Sequence, residues 1–176
     1  MTARIDAPAV AQSQPRPRSR GGVLLAVARF VSLTFAGLFA GFLVTVLVLE
    51  LSMRTADGAV YTEVRHVELI GLDVLATVLL IPAAVATAIV AAARFPLGGA
   101  ARWLPVFALL LLVSVFVLTF AVNLPINAAQ HSWATPPPDW AAIRDRWQLA
   151  HAVRTVAAVL AFGCLTARRD PGAVVR

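Results

Sequence analysis

Four stretches of this chain carry too much hydrocarbon and too little charge for a protein of its size to cover. They are roughly Phe30–Leu49 in "RFVSLTFAGLFAGFLVTVLVLEL", Val67–Ala93 in "VELIGLDVLATVLLIPAAVATAIVAAA", Trp103–Val122 in "WLPVFALLLLVSVFVLTFAV" and Leu149–Ala167 in "LAHAVRTVAAVLAFGCLTA". At about 1.5 Å per residue, each run of about 19–27 residues is long enough as a helix to cross a hydrocarbon layer of about 30 Å. Inside lipid a backbone must satisfy its own hydrogen bonds, and none of the runs alternates like a barrel strand, so helices are the expectation. The composition agrees: 60% of the 176 residues are hydrophobic and 14% charged, with a mean hydropathy of +0.81. A soluble domain of that length cannot hide so much apolar surface. The expected architecture is all-α, an integral membrane four-helix bundle that passes the cell membrane several times.

The formal charge of +6 comes entirely from arginine, since the sequence contains no lysine. The arginines cluster at the ends of the apolar runs, which is the pattern of topology signals and argues against nucleic acid as a partner. Arg4, Arg16, Arg18, Arg20 and Arg29 precede or open the first run, Arg94 and Arg102 bracket the link between the second and third, and Arg168, Arg169 and Arg176 follow the fourth. On the opposite side, Arg54, Arg65, Arg144 and Arg146 are offset by acids. Both termini are therefore expected in the cytoplasm. Residues 1–21 read as a disordered basic tail, 22–168 as the four-helix domain and 169–176 as a second tail. The first run exceeds the about 7–15 apolar residues of a cleaved signal and lacks a clear cleavage site, so it is read as a retained helix. Cys164 has no partner for an internal disulfide and reads as a packing residue. Gly37 and Gly41 in "GLFAG" read as a close-packing pair.

The polar chemistry gathers at the outer end. Seven of the nine acids lie there, with His66, His131, His151, Trp133, Trp140 and Trp147. On a helix turning about 100° per residue, Glu63, His66, Ile70, Asp73 and Thr77 share roughly an 80° arc. In the fourth run Arg144, Trp147, His151, Arg154 and Ala158 step along one face. Asp73 and Arg154 lie at similar depth with opposite sign, and an unpaired charge in a bilayer costs at least about 2.5–3.5 kcal/mol, so a buried Asp73–Arg154 ion pair is expected. "NLPIN" places Pro125 between Asn123 and Asn127, which ends or kinks the third helix. Asp139 reads as the N-cap of the helix that follows.

Glu63, His66 and His151, with Glu50 or His131 as an extra ligand, could in principle converge on a metal, but no ligand spacing supports a site and none is assigned. No cofactor is expected. His151 alone suits proton transfer, its ordinary pKa being about 6.5. Trp133, Trp140 and Trp147 fit an interfacial belt or the wall of an aromatic pocket.

The segment "VNLPINAAQHSW…DWAAIRDRWQLAHAVRTVAA" resembles the signature of the anthrone oxygenase-like family of small four-helix membrane proteins. The residues that carry the likeness are Asn123, Pro125, Asn127, Trp133, Trp140, Arg144, Trp147, His151 and Arg154. "YTEVRHVELIGLD" departs from it, being more charged than the corresponding family segment. The resemblance implies oxidation of an anthrone to an anthraquinone by molecular oxygen, without an obvious cofactor. In that chemistry a base removes an acidic C–H and donors hold the enolate. We read His151 as the base and Arg154, Asn123 and Asn127 as donors, an allocation made on residue chemistry rather than taken from the family. Trp133, Trp140, Trp147, Glu63, His66 and Asp73 are the expected substrate contacts. The expected partners are the lipid bilayer and a lipophilic small molecule.

Two readings follow. One is an enzyme acting on a flat lipophilic molecule that arrives through the bilayer. The alternative is a non-catalytic ligand binder or accessory subunit whose polar cluster is structural. The first requires a pocket among the second, third and fourth helices with His151 and Asn127 on its wall.

Overall fold

A computed structural model describes residues 20–98 and 102–167 of the chain. The expected tails, apart from Arg20 and Gly21, lie outside the described residues. Helix α1 spans Arg20–Ser52 and runs into a 3-10 turn at Met53–Thr55. Helix α2 (Gly58–Glu68) is followed by α3 (Leu72–Arg94). Helix α4 (Trp103–Leu118) continues through a π turn at Thr119–Asn123 into α5 (Leu124–His131), and α6 spans Trp140–Thr166. No strand occurs among the described residues. Four helical stretches are long and apolar enough to cross a membrane: Arg20–Thr55, Leu72–Arg94, Trp103–His131 and Trp140–Thr166.

The second apolar run is divided. Asp57 opens α2 in an extended conformation (ψ 170°), and its Oδ1 accepts from the Val60 N–H at 2.9 Å, the N-cap arrangement. The polar segment "GAVYTEVRHVE" then makes a helix of its own that buries Tyr61, Thr62, Arg65 and Glu68. Gly71, a poor helix former, interrupts the chain before α3 begins. The arc expected to join Glu63 and His66 to Asp73 and Thr77 is therefore split between two helices.

Pro125 breaks the third stretch more gently than a terminus would. Its missing N–H removes one rung of the ladder, and the preceding turn widens to π geometry while the helix carries on. Asp139 stands at the start of α6, but its side chain caps nothing; the entry is held by Trp140 N–H to Pro137 O and Ala142 N–H to Asp139 O, both 3.0 Å.

Helix α1 packs on α3 and α6, and α4 packs on α6 and α3. Their contact layer alternates small and large residues: Ala36, Phe39, Ala40 and Leu43 of α1 meet Leu80 and Ala83 of α3, Leu112 and Val115 of α4, and Ala157, Ala158 and Ala161 of α6. Alanines let helices approach closely where lipid offers no hydrophobic drive between them. Of the two glycines expected to pack, only Gly37 does: a Cβ there would meet the Phe162 ring at 3.0 Å, whereas one at Gly41 meets nothing within 4 Å. Away from this layer, large side chains such as Phe30, Val78, Leu110 and Val156 stand exposed. So much exposed hydrocarbon fits a surface that acyl chains cover.

Candidate functional site

Beyond the apolar layer, the ends of α1 and α5 and the buried faces of α2 and α6 meet around one side chain. Arg65 is 2% exposed, and its guanidinium donates to Gln130 Oε1 (3.0 Å), Glu50 Oε1 (2.9 Å), Glu68 Oε2 (2.5 Å) and Asn127 Oδ1 (2.9 Å). Its flat face lies 4.4 Å from the centre of the Trp147 ring. Glu50 is fully buried and saturated, for Gln148 Nε2 donates to its Oε2 at 3.1 Å and to its carbonyl at 2.8 Å. Gln130 Nε2 donates to the Tyr61 hydroxyl at 3.1 Å. Burial first, and then the Glu50 charge, push that hydroxyl well above its ordinary pKa.

Trp147 links this hub to a second cation. Its ring stacks on His151 with centroids 4.8 Å apart and planes 6° from parallel. Arg154, one turn further along α6, donates to His151 Nδ1 at 2.7 Å and to Thr119 Oγ1 of the π turn at 2.8 Å. A guanidinium can only donate, so Nδ1 must accept and the ring proton sits on Nε2, which donates to the Leu43 carbonyl at 3.0 Å. Both imidazole nitrogens are thus engaged. Arg154 Nε, by contrast, is buried without a partner, and no carboxylate among the described residues pairs with this guanidinium.

These groups form one end of a cavity of about 470 Å³. Phe39, Leu43, Leu80 and Phe116 make its apolar floor, and Arg65, Glu68, Asn127, Trp147, His151 and Arg154 its polar wall. Val74 and Val78 of α3 and Phe120 and Leu124 of the π turn and α5 line the same cavity while being exposed, Phe120 by 64%. The mouth therefore lies between two helices that are apolar enough to cross a membrane, and opens sideways. Asn127 faces the cavity with a fixed amide: its oxygen accepts from Trp147 Nε1 (2.6 Å) and Arg65, leaving its N–H₂ without a partner among the described residues.

Of the residues expected to act, His151, Arg154 and Asn127 lie on this wall. Asn123 does not line it; its amide braces the Trp147 carbonyl at 3.3 Å. Asp73 and Trp147 also line the cavity, whereas Trp133, Trp140, Glu63 and His66 do not. Trp140 packs on Tyr61 and Arg144, and His66 Nε2 bonds the Gln130 carbonyl at 3.1 Å. The expected Asp73–Arg154 ion pair is not formed. Asp73 lies exposed in the first turn of α3, where its Oδ1 accepts from the Val74 N–H at 2.8 Å. An N-terminal turn has free N–H groups and positive dipole, which satisfy a carboxylate without a distant cation. No group of three His, Cys, Asp or Glu side chains converges as a metal site among the described residues.

Sequence reasoning gave no site role to Arg65, Glu68, Gln130 or Gln148, and weighed Glu50 only as an extra metal ligand. One signal was available: "RHVE" places Arg65 and Glu68 at i, i+3 on one helix face, while Glu50 is the one acid within the first apolar helix.

The fold and cavity together define an integral membrane protein of packed helices with a polar-walled chamber that opens on its flank. The family model described as anthrone oxygenase matches residues 71–164, more than half of the chain and all of α3 to Cys164 in α6, and the protein belongs to that family. No curated protein and no solved structure matches the chain.

Proposed function

We propose that this protein is a cell-membrane oxidoreductase that oxidises an anthrone-like, polyketide-type aromatic with molecular oxygen. Its polar end lies at the outer face and both termini lie in the cytoplasm, as the arginine distribution favours. The substrate enters through the lateral mouth, and its rings occupy the apolar floor. The cavity falls within the about 300–1,000 Å³ typical of small-molecule sites. The observation that carries this reading is Arg154, a buried cation on the cavity wall whose Nε–H has no partner and which no carboxylate among the described residues pairs. A buried charge needs a partner, and a ligand that develops a negative oxygen supplies one.

The reaction balances with two substrates. Anthrone and O₂ give anthraquinone and water: both C–H bonds of the ring methylene break, one oxygen atom becomes the new carbonyl, and the other leaves as water. Loss of the first proton places charge on the existing carbonyl oxygen, where Arg154 and the Asn127 N–H₂ hold it. The resulting carbanion is electron-rich enough to react with O₂ itself. His151 supports Arg154 by fixing one guanidinium nitrogen, and Thr119 fixes the other.

The test is oxygen uptake by the purified full chain in detergent with anthrone, alongside anthraquinone absorbance. Removing one preorganised oxyanion donor costs about 10²–10³ in kcat, so Arg154→Met should fall by that factor. No uptake above buffer by the parent protein would overturn the reading. If the parent binds a hydroxyanthraquinone but consumes no oxygen, the non-catalytic binder is the correct alternative.

A further inference from the structure

The cavity wall holds two residues with buried polar atoms that lack partners, and they carry opposite charge: Arg154 through Nε and Glu68 through Oε1. We infer that Glu68 is the base that removes the ring-methylene proton, an assignment that rests on the anthrone-type reading above.

The other candidates are occupied. His151 accepts from Arg154 and donates to Leu43, so it has no lone pair for a substrate proton. Both Glu50 oxygens are bonded, to Arg65 and to Gln148. Asp73 lies exposed at the mouth, its Oδ1 on its own helix terminus. Glu68 differs: Arg65 holds Oε2 at 2.5 Å while Oε1 is buried without a partner, and its side chain is 6% exposed. A carboxylate fixed by one oxygen and free at the other is oriented for proton transfer.

Charge balance favours the same residue. Glu50, Glu68, Arg65 and Arg154 sum to zero when all are ionised. Moving a proton from the methylene to Glu68 shifts one negative charge from that carboxylate to the substrate oxygen beside Arg154, and the sum stays zero. At low dielectric, a step that relocates an existing negative charge avoids the cost of creating a new separated ion pair, which a neutral base such as imidazole would incur. The C–H bond breaks, the O–H bond on Oε1 forms, and the electron pair delocalises through the ring onto the carbonyl oxygen.

Geometry agrees. Between Glu68 and Arg154 stand Arg65, Trp147 and His151, stacked or bonded in sequence. A rigid tricyclic anthrone carries its carbonyl and its methylene at opposite edges of the central ring. Base and oxyanion donor must therefore act from separated points, which this stack provides.

The experiment is anaerobic proton exchange, measured as solvent deuterium incorporation at the anthrone methylene by the full chain in nanodiscs. Hydroxyanthraquinone binding is followed in parallel. Glu68→Gln keeps an oxygen acceptor for Arg65 and should lose about 10²–10⁴ of the exchange rate, the usual contribution of a positioned base. Glu68→Asp keeps the charge but withdraws the oxygen by about 1 Å, which should cost up to about 10²-fold with the probe still bound. The inference stands if exchange is lost in these variants, whether or not oxygen is then consumed; absent uptake would sink only the oxygenase reading. It is overturned if the parent does not accelerate exchange above buffer. It is also overturned if either variant binds the probe and exchanges at the parental rate. Should Glu68→Gln fail to fold, Glu68→Asp decides alone.

Discussion

Arg65→Met removes the one cation that two buried carboxylates share. In the parent, Glu50 is fully buried and Glu68 nearly so, and both bond the same nitrogen of Arg65, at 2.9 and 2.5 Å. Methionine keeps an unbranched stem against Trp147 but donates to nothing. Glu50 and Glu68 then face each other unpaired, and Gln130 and Asn127 each lose a donor. Breaking a buried ion pair from one side costs about 3–5 kcal/mol, against a total stability of about 5–15 kcal/mol for a typical fold. For a chain of about 150–250 residues each kcal/mol moves Tm by about 2–4 °C, so the drop should be about 6–20 °C. The assay is tryptophan fluorescence during heating of the detergent-purified protein. A triple variant, Arg65→Met with Glu50→Gln and Glu68→Gln, separates charge from packing. It leaves no buried charge in the hub, and neutral replacement of a buried ion cluster is often close to neutral in stability. It should recover most of the lost Tm. A single variant within about 2 °C of the parent, or a triple variant as weak as the single, would refute the account of the hub.

Two further outcomes follow from the same contacts. At Gly58 an added Cβ would lie 2.9 Å from the Trp140 ring and 3.0 Å from Pro136, so Gly58→Ala should cost about 1–3 kcal/mol by overpacking, read as a lower Tm; an unchanged Tm would contradict the packing of α2 on that loop. Tyr61 is the chain's single tyrosine, which makes its ionisation visible by ultraviolet absorbance. Its folded pKa is raised, so the folded state keeps a proton that the unfolded chain releases near the ordinary value of 10.0. Stability should therefore decline as pH rises past that value, and phenolate absorbance should appear only with unfolding; phenolate formed in intact protein near the ordinary value would contradict its burial.

The parts of this molecule that were legible in the sequence are those set by one-dimensional patterns. Long apolar runs dictate helices because lipid offers the backbone no alternative. The face shared by Trp147, His151 and Arg154 follows from helical spacing, and it does line the cavity. Tertiary partners were less accessible. Arg65 looked like one of several loop arginines until α2 turned it inward against residues 15 and 65 positions away. Depth and sign suggested Asp73 for Arg154, but a three-residue break at Leu69–Gly71 gave Asp73 a helix terminus of its own. The role expected of His151 turned on which atoms its nitrogens meet, and one of them, the Leu43 carbonyl, is a backbone group that no side-chain motif announces.

The central claim is that Arg154 awaits a negative oxygen. A monohydroxyanthraquinone changes colour when its hydroxyl ionises, so its visible spectrum reports the charge of the bound ligand. The measurement is that spectrum with the parent protein in nanodiscs, at a pH below the free probe's ionisation, compared with Arg154→Met. The account predicts the anion's spectrum on the parent and the neutral phenol's on the variant. Identical spectra from the two bound forms, or no binding to the parent, would contradict it.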